Sequence, residues 1–224
     1  MKQGTLIKTG VLDYQTAWDL QKALHRDRVN KLAQDTLILT EHPHTYTLGK
    51  SGHEENLVAK ESMLNQNGIQ VFRIDRGGDI TYHGPGQIVG YPILDLHDYY
   101  LDVHRFLRDL EDVLIQTLAE FDITAGRVEG LTGVWVDGAK IAAIGIKVSR
   151  WVTMHGFAFN VNTALKYFGN IIPCGISNKQ VTSMEKILGA RQNYADVRDR
   201  VAQKFSEIFD VELKEREFEE VDAA

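Results

Sequence analysis

The apolar positions of the chain alternate between two periods, and the switches mark its elements. Leu6-Ile7-Lys8-Thr9-Gly10-Val11 reads as a short strand within residues 5–12, and Asp13 stands where a helix N-cap would. Ala17, Leu20, Leu24, Val29 and Leu32 then recur at helical spacing, which predicts a helix from Tyr14 to about Gln34. Residues 36–40 form an apolar run of strand length, and Tyr46-Thr47-Leu48-Gly49 reads as another short strand. A short helix is predicted over 60–66, stopped by Asn67-Gly68. Residues 69–74 alternate like a strand, and 88–94 make a second apolar run. From about Asp102 the positions Val103, Phe106, Leu107, Leu110, Val113, Leu114, Leu118 and Phe121 form one face of an amphipathic helix. Runs 134–136 and 140–146 flank Asp137-Gly138, a type I′ hairpin signal, and Ser149-Arg150-Trp151 turns the chain into 152–160. Three antiparallel strands therefore follow one another. Thr182 with Glu185 makes a capping-box pattern for a short helix over 183–188. Residues 194–209 predict a last helix with Val197, Val201, Phe205 and Ile208 inward, and the acidic stretch 215–222 reads as a strand end or a frayed tail.

One stretch breaks this rhythm. Arg76-Gly77-Gly78-Asp79-Ile80-Thr81-Tyr82-His83-Gly84-Pro85-Gly86-Gln87 holds four glycines and a proline in twelve residues, between two runs that read as buried strands. Glycines let a backbone approach a ligand and present its N–H groups. Polar residues in such loops serve binding or chemistry more often than packing. A long hairpin loop with turn glycines fits the composition equally well. Gly145 and Gly156 fall inside strands, where a missing side chain marks close approach of a ligand or another backbone. Gly49-Lys50-Ser51-Gly52 resembles part of a phosphate loop, but the position that would need the earlier glycine is His44.

Composition narrows the class. The 224 residues suffice for one large α/β domain or two small ones, and 43% hydrophobic content is ordinary for a globular chain. A net charge of −6 without a basic run speaks against nucleic acid as a partner. No apolar run reaches membrane-spanning length, and the first residues show no signal-peptide core, so no membrane partner and a cytoplasmic setting are expected. The single cysteine excludes an internal disulfide and fits a reducing compartment. None of the eight histidines has zinc-ligand spacing, so no metal is expected.

That cysteine, Cys174, sits between Pro173 and Gly175, a turn rather than a packing context. A buried, inert thiol is the alternative to a nucleophile. With a pKa of about 8.5, only a few per cent is thiolate at pH 7. Bringing the pKa to about 7 needs about 2 kcal/mol. One cation at ~4 Å supplies roughly 4 kcal/mol at an effective dielectric of about 20, less desolvation. A single lysine is therefore sufficient. Lys140, Lys147 and Lys166 are candidates, with His83 as a possible base, and spacing alone does not choose among them.

Three blocks together resemble the lipoyl(octanoyl) transferase family: residues 76–87, then Gly138-Ala139-Lys140-Ile141-Ala142-Ala143-Ile144-Gly145, then Asn170-Ile171-Ile172-Pro173-Cys174-Gly175. His155-Gly156-Phe157-Ala158-Phe159-Asn160 joins them. The resemblance implies an α/β fold of the α+β type, a mixed and mainly antiparallel sheet packed with helices around a cleft. That is the catalytic domain shared with biotin and lipoate protein ligases, here one catalytic domain over 1–224. It implies transfer of octanoyl from acyl carrier protein to a lysine of apo lipoyl domains, those of 2-oxoacid dehydrogenase E2 subunits and of glycine cleavage H protein. No cofactor is implied. In the family pattern Cys174 takes the acyl group as a thioester and Lys140, 34 positions earlier, stabilises its thiolate. By the same resemblance the substrate site comprises Arg76, Gly77, Gly78, Asp79, Ile80, Thr81, Tyr82, His83, Ala143, Ile144, Gly145, Gly156, Phe157 and Ala158. Tyr82 is expected as a wall, and His83 either orients substrate, relays a proton or makes a structural hydrogen bond. Lys147 stands where many relatives are expected to have arginine. Because both protein partners are usually acidic, a basic rim of Lys147, Arg150 and Arg73 is expected by the cleft. An ATP-dependent lipoate or biotin ligase, transfer between two lipoyl-domain proteins, and a non-catalytic module that binds lipoyl domains are the rival readings.

Overall fold

Asp13 starts the first helix as a cap: its carboxylate accepts the amides of Gln15 at 2.9 Å and Thr16 at 3.2 Å. The computed structural model describes residues 1–172 and 180–218. Within them the order is β1 (Lys2–Val11), α1 (Tyr14–Val29), β2 (Asp35–Glu41), β3 (Thr45–Leu48), α2 (Glu61–Gln66), β4 (Gln70–Arg73), β5 (Ile80–His83), β6 (Gln87–Ile93) and α3 (Val103–Ala119). Then follow β7 (Gly126–Val128), β8 (Leu131–Val136), β9 (Ala139–Ser149), β10 (Val152–Asn160), α4 (Met184–Leu188), α5 (Tyr194–Phe209) and β11 (Val211–Arg216). Eight strands form one sheet in the order β11-β1-β2-β6-β10-β9-β8-β7, and β4-β3-β5 form a second. The β11–β1 and β1–β2 pairs are parallel, and the other pairs of the large sheet are antiparallel. The fold is thus the mixed, mainly antiparallel α/β arrangement that the family resemblance implies. No helix among the described residues is long and apolar enough to cross a membrane.

The large sheet is a middle layer. On one face α3 and α5 bury Phe106, Leu110, Val113, Leu114, Phe205 and Phe209 against Ile88, Ala142, Phe157 and Phe159. On the other, α1 packs Ala17 and Leu20 against Ile7, Ile38, Val89 and Tyr91. The small sheet has its own core of Tyr46, Leu48, Leu64, Ile69, Ile80 and Tyr82.

Several expectations shift. The first helix ends at Val29, not near Gln34, and Leu32 is exposed. Arg28 is buried and pairs with Asp35 at 2.7 Å, with Asp95 at 3.5 Å and with Asp98. Those long-range partners stop the helix where the apolar spacing would continue it. The stretch 76–87 is not one loop between buried strands. Residues 80–83 pair with β3, β4 is mostly exposed, and β4 and β6 belong to different sheets. The cap of α4 is Ser183, whose hydroxyl accepts the Lys186 amide at 3.2 Å, one residue beyond Thr182. Asp137 and Gly138 both have positive φ, 47° and 77°, as a type I′ turn requires.

Candidate active site

The glycine stretch is a plug laid across two sheets. The Gly49, Lys50 and Ser51 amides donate to the carbonyls of Asp79, Arg76 and Gly78 at 3.1, 2.9 and 3.3 Å. A Cβ on Gly49 would stand 2.3 Å from the Gly78 carbonyl oxygen, so only glycine fits. These amides are engaged with backbone, which removes the phosphate-loop reading of 49–52. Below, Gly77 donates to the Ile146 carbonyl at 2.8 Å, and a Cβ on Gly145 would lie 2.9 Å from the Gly77 oxygen. The strand glycine at 145 thus admits a backbone. The buried Arg76 side chain ties the plug to β3, donating to the Thr47 carbonyl at 2.7 Å and its hydroxyl at 3.0 Å.

Between plug and sheet lies a cavity of about 410 Å³. Its floor follows from register. Ala143 is opposite Ala158, which is opposite Val89, and Gly145 is opposite Gly156. Direct partners share a face of the sheet, so these small residues leave volume on the side away from α3 and α5. Arg76, Gly77, Gly78, Asp79, Ile80, Thr81, His83, Ala143, Ile144, Gly145, Gly156, Phe157 and Ala158 all border the cavity. Tyr82 does not. It is buried in the small sheet's core, bonded to His44 at 2.7 Å and stacked on Tyr167, because alternation along β5 turns it away from Thr81 and His83. The expectation of Tyr82 as a wall is corrected. Tyr14, Tyr91, Leu107 and His155 are among the other lining residues and were not among the expected site residues. The helical spacing places Leu107 on the core face of α3, whereas the structure leaves it half-buried at the cavity.

Lys140 reaches this cavity through a β-bulge. Val134 pairs with Ala142 and Trp135 with Lys140, so Ile141 is the extra residue. Side chains alternate along a strand. Without the bulge Lys140 would share the face of Ala142, which packs in the α3–α5 core. With it, Lys140 borders the cavity beside Ala143, its ammonium 4.7 Å from the Trp135 ring centre. Its amide donates to the Gln180 carbonyl at 2.8 Å, and its carbonyl accepts the Thr182 amide at 2.9 Å. Cys174 lies outside the described residues.

The opposite end is polar, and its histidines are neutral. Gln87 donates through Nε2 to Tyr82 O at 3.1 Å and Asn160 Oδ1 at 3.0 Å, which leaves its Oε1 to accept from His83 Nδ1 at 3.0 Å. Burial pushes His83 well below its ordinary pKa, and the charges of His42 and Arg76 add to this. His83 is therefore a neutral member of an internal network. Burial brings His155 to about 4 although Asp75 bonds it at 2.8 Å. Burial pushes the Asp75 carboxyl up, but hydrogen bonds from His155 and Lys147 prevail and hold it at about 2. His155 also carries a φ of 59°, a left-handed conformation uncommon outside glycine. Of the rim cations expected, Lys147 pairs with Asp75 and Arg73 with Glu54, while Arg150 is exposed at the β9–β10 turn. Two of the three are thus matched by carboxylates. No cluster of three or more His, Cys, Asp or Glu among the described residues is placed to hold a metal ion.

Comparison with known proteins gives the following. Residues 13–206 match the family described as Lipoyl protein ligase A/B catalytic domain. The Octanoyltransferase of Solibacter usitatus is 51% identical, over 95% of this chain and 96% of its own length. The Octanoyltransferase of Cytophaga hutchinsonii is 46% identical over 92% of each. Among solved structures, the bipartite lipoate protein ligase of Thermoplasma acidophilum superposes with a TM-score of 0.79 at 18% identity, over 99% of this chain and 89% of that one, a likeness of fold.

Proposed function

The chain belongs to the lipoyl protein ligase A/B catalytic domain family, and from that premise we propose that it transfers an octanoyl group from acyl carrier protein to a specific lysine of apo lipoyl domains. It is an acyltransferase acting in lipoate biosynthesis, in one catalytic domain over 1–224. The acceptors are lipoyl domains of 2-oxoacid dehydrogenase E2 subunits and glycine cleavage H protein. A cytoplasmic setting suits the single cysteine.

The chemistry runs in two steps. The Cys174 thiolate attacks the carrier's thioester carbonyl, the new C–S bond forms, and the carrier leaves as a thiolate that takes up a proton from solvent. The acceptor's ε-amine then attacks the acyl-cysteine. An amide forms, the amine loses a proton, and the Cys174 thiolate departs. The first step exchanges one thioester for another and the second runs downhill without ATP. Dividing the transfer lets two bulky protein substrates use one site in turn. Lys140 holds the thiolate charged in both steps. Backbone N–H groups around 76–83, 143–145 and 156–158 are the candidates to meet the oxyanion.

The observation that carries this reading is the small-residue floor that begins at Lys140. Three backbone bonds span about 3.6 Å, so an extended octanoyl tail runs roughly 8 Å. The strand from Lys140 to Ile146 runs roughly 20 Å at its usual rise. The tail therefore fits over Ala143 and Ala158 and stops short of the polar end. The bond from Lys140 to the Gln180 carbonyl ties this lysine to the chain that follows Cys174.

Intact mass tests it. Wild type and Cys174→Ser are incubated with octanoyl–acyl carrier protein and no ATP. One octanoyl adduct on wild type alone is expected. Absence of adduct on both, with activity only when ATP and free acid are supplied, overturns the reading in favour of a ligase.

A further inference from the structure

Lys140 is held by features that neither the thiol nor the substrate requires. Its side chain crosses Gly133 on the neighbouring strand. A Cβ there would come 3.4 Å from Lys140 Cε and 2.6 Å from the Ala142 oxygen, and Gly133 has a φ of 130°. The Gly133 amide is in turn fixed by Glu111 Oε1 at 2.9 Å. Glu111 is fully buried on α3, and its other oxygen accepts from Arg108 at 2.6 Å and Arg127 at 2.7 Å. A carboxylate that deep is costly unless it is paired and bonded, as here. Beyond Gly133 the ammonium stands over the Trp135 ring, itself 4% exposed. Gly133 is required by the Ala142 carbonyl, the aliphatic part of Lys140 passes it in ordinary contact, and the ring gives the charge a seat.

We propose that Trp135, with Gly133 pinned by Glu111, is the positioning residue for Lys140: the ring face keeps the ammonium charged and aimed into the cavity. The proposal rests on the Cys174–Lys140 reading, and its test separates the two. Two profiles are measured against pH: competitive acylation of Lys140 by a small anhydride, and alkylation of Cys174 by iodoacetamide. The first reads the seat and the second reads the pair. The variants are Trp135→Leu, Trp135→Phe, Lys140→Met and Glu111→Gln.

An aromatic seat favours the ammonium, so its loss lets the lysine titrate lower. Trp135→Leu is expected to bring the Lys140 midpoint down by about half to one unit. The Cys174 midpoint should move up in the same variant, and further up in Lys140→Met. Trp135→Phe, which keeps a ring, should fall between wild type and Trp135→Leu in both profiles. Glu111→Gln, which keeps an acceptor for the Gly133 amide, should follow wild type. An unchanged Lys140 midpoint in Trp135→Leu overturns the seat, whatever Cys174 does. An unchanged Cys174 midpoint in Lys140→Met overturns the pair while leaving the seat to the lysine profile. If Trp135→Leu fails to fold by thermal melt, fluorinated tryptophan in a Trp18→Phe, Trp151→Phe background weakens the ring face at nearly constant size. The same shift is then expected, and its absence again overturns the seat.

Discussion

The two faces of β9 and β10 are made from alternate residues of the same two strands, yet one is solid and the other hollow. Toward α3 and α5 they present Ala142 and Phe159, both closed within the apolar core that these helices share. Toward the plug they present Ala143, Ala158, Gly145 and Gly156, and about 410 Å³ stays open. Burial drives the first face as in any core. The second is kept open by backbone-to-backbone contacts that cannot collapse into the space. The open cavity here is therefore a matter of which parity carries the small residues.

The comparison breaks most sharply at Gly145. Gly145→Val places a branched carbon against the Gly77 oxygen, 2.9 Å from even a bare Cβ, and must lift the plug. Octanoyl transfer is expected to fall roughly a hundredfold or more, as displacements near 1 Å at a reacting centre do. The melting curve should move far less. Transfer assays beside calorimetry check this, and retained transfer would count against the plug as the chamber's roof.

The opposite result is expected on the solid face. Phe159→Ala removes a fully buried ring and should cost about 3–5 kcal/mol in urea unfolding. Transfer per folded molecule should hardly change. Equal losses of stability and specific activity would show that the faces are not independent.

A third effect, read through pH, belongs to the polar end. His155 titrates at about 4 in the fold against about 6.5 unfolded, so between those values the unfolded chain binds more protons. Stability is fully present above about pH 6.5 and is lost as pH falls toward 4, and Asp75, at about 2, continues the loss below about 3.9. His42, at about 4, and His83, well below its ordinary value, act in the same direction. Urea midpoints at pH 7 and 4.5 should differ, and His155→Gln should reduce the difference without abolishing it.

The elements legible in the sequence were those made by near neighbours. The α3 and α5 stripes and the Asp137-Gly138 turn are written in local spacing. The end of α1 was not, because Arg28 answers to Asp95 and Asp98 some seventy residues away. Nor was the division of 76–87 into a turn and a strand, since β5 finds its partner β3 across 35 residues of chain. The glycines at 145 and 156 announced close approach and proved to admit the backbones of Gly77 and Gly90. The family resemblance supplied fourteen residues that border the cavity, Lys140 among them, and it misplaced Tyr82, whose side is set by strand alternation.

The bulge at Ile141 makes the position of Lys140 depend on counting. Conservative exchanges along β9 that keep the residue count leave the lysine on the cavity face of the strand. Take one residue out of the strand there, and the same lysine is delivered among the phenylalanines behind the sheet. A substitution scan of β9 is blind to this vulnerability, and a scan of single-residue deletions sees it at once. Length, at this point in the chain, is as much a determinant of the site as residue identity.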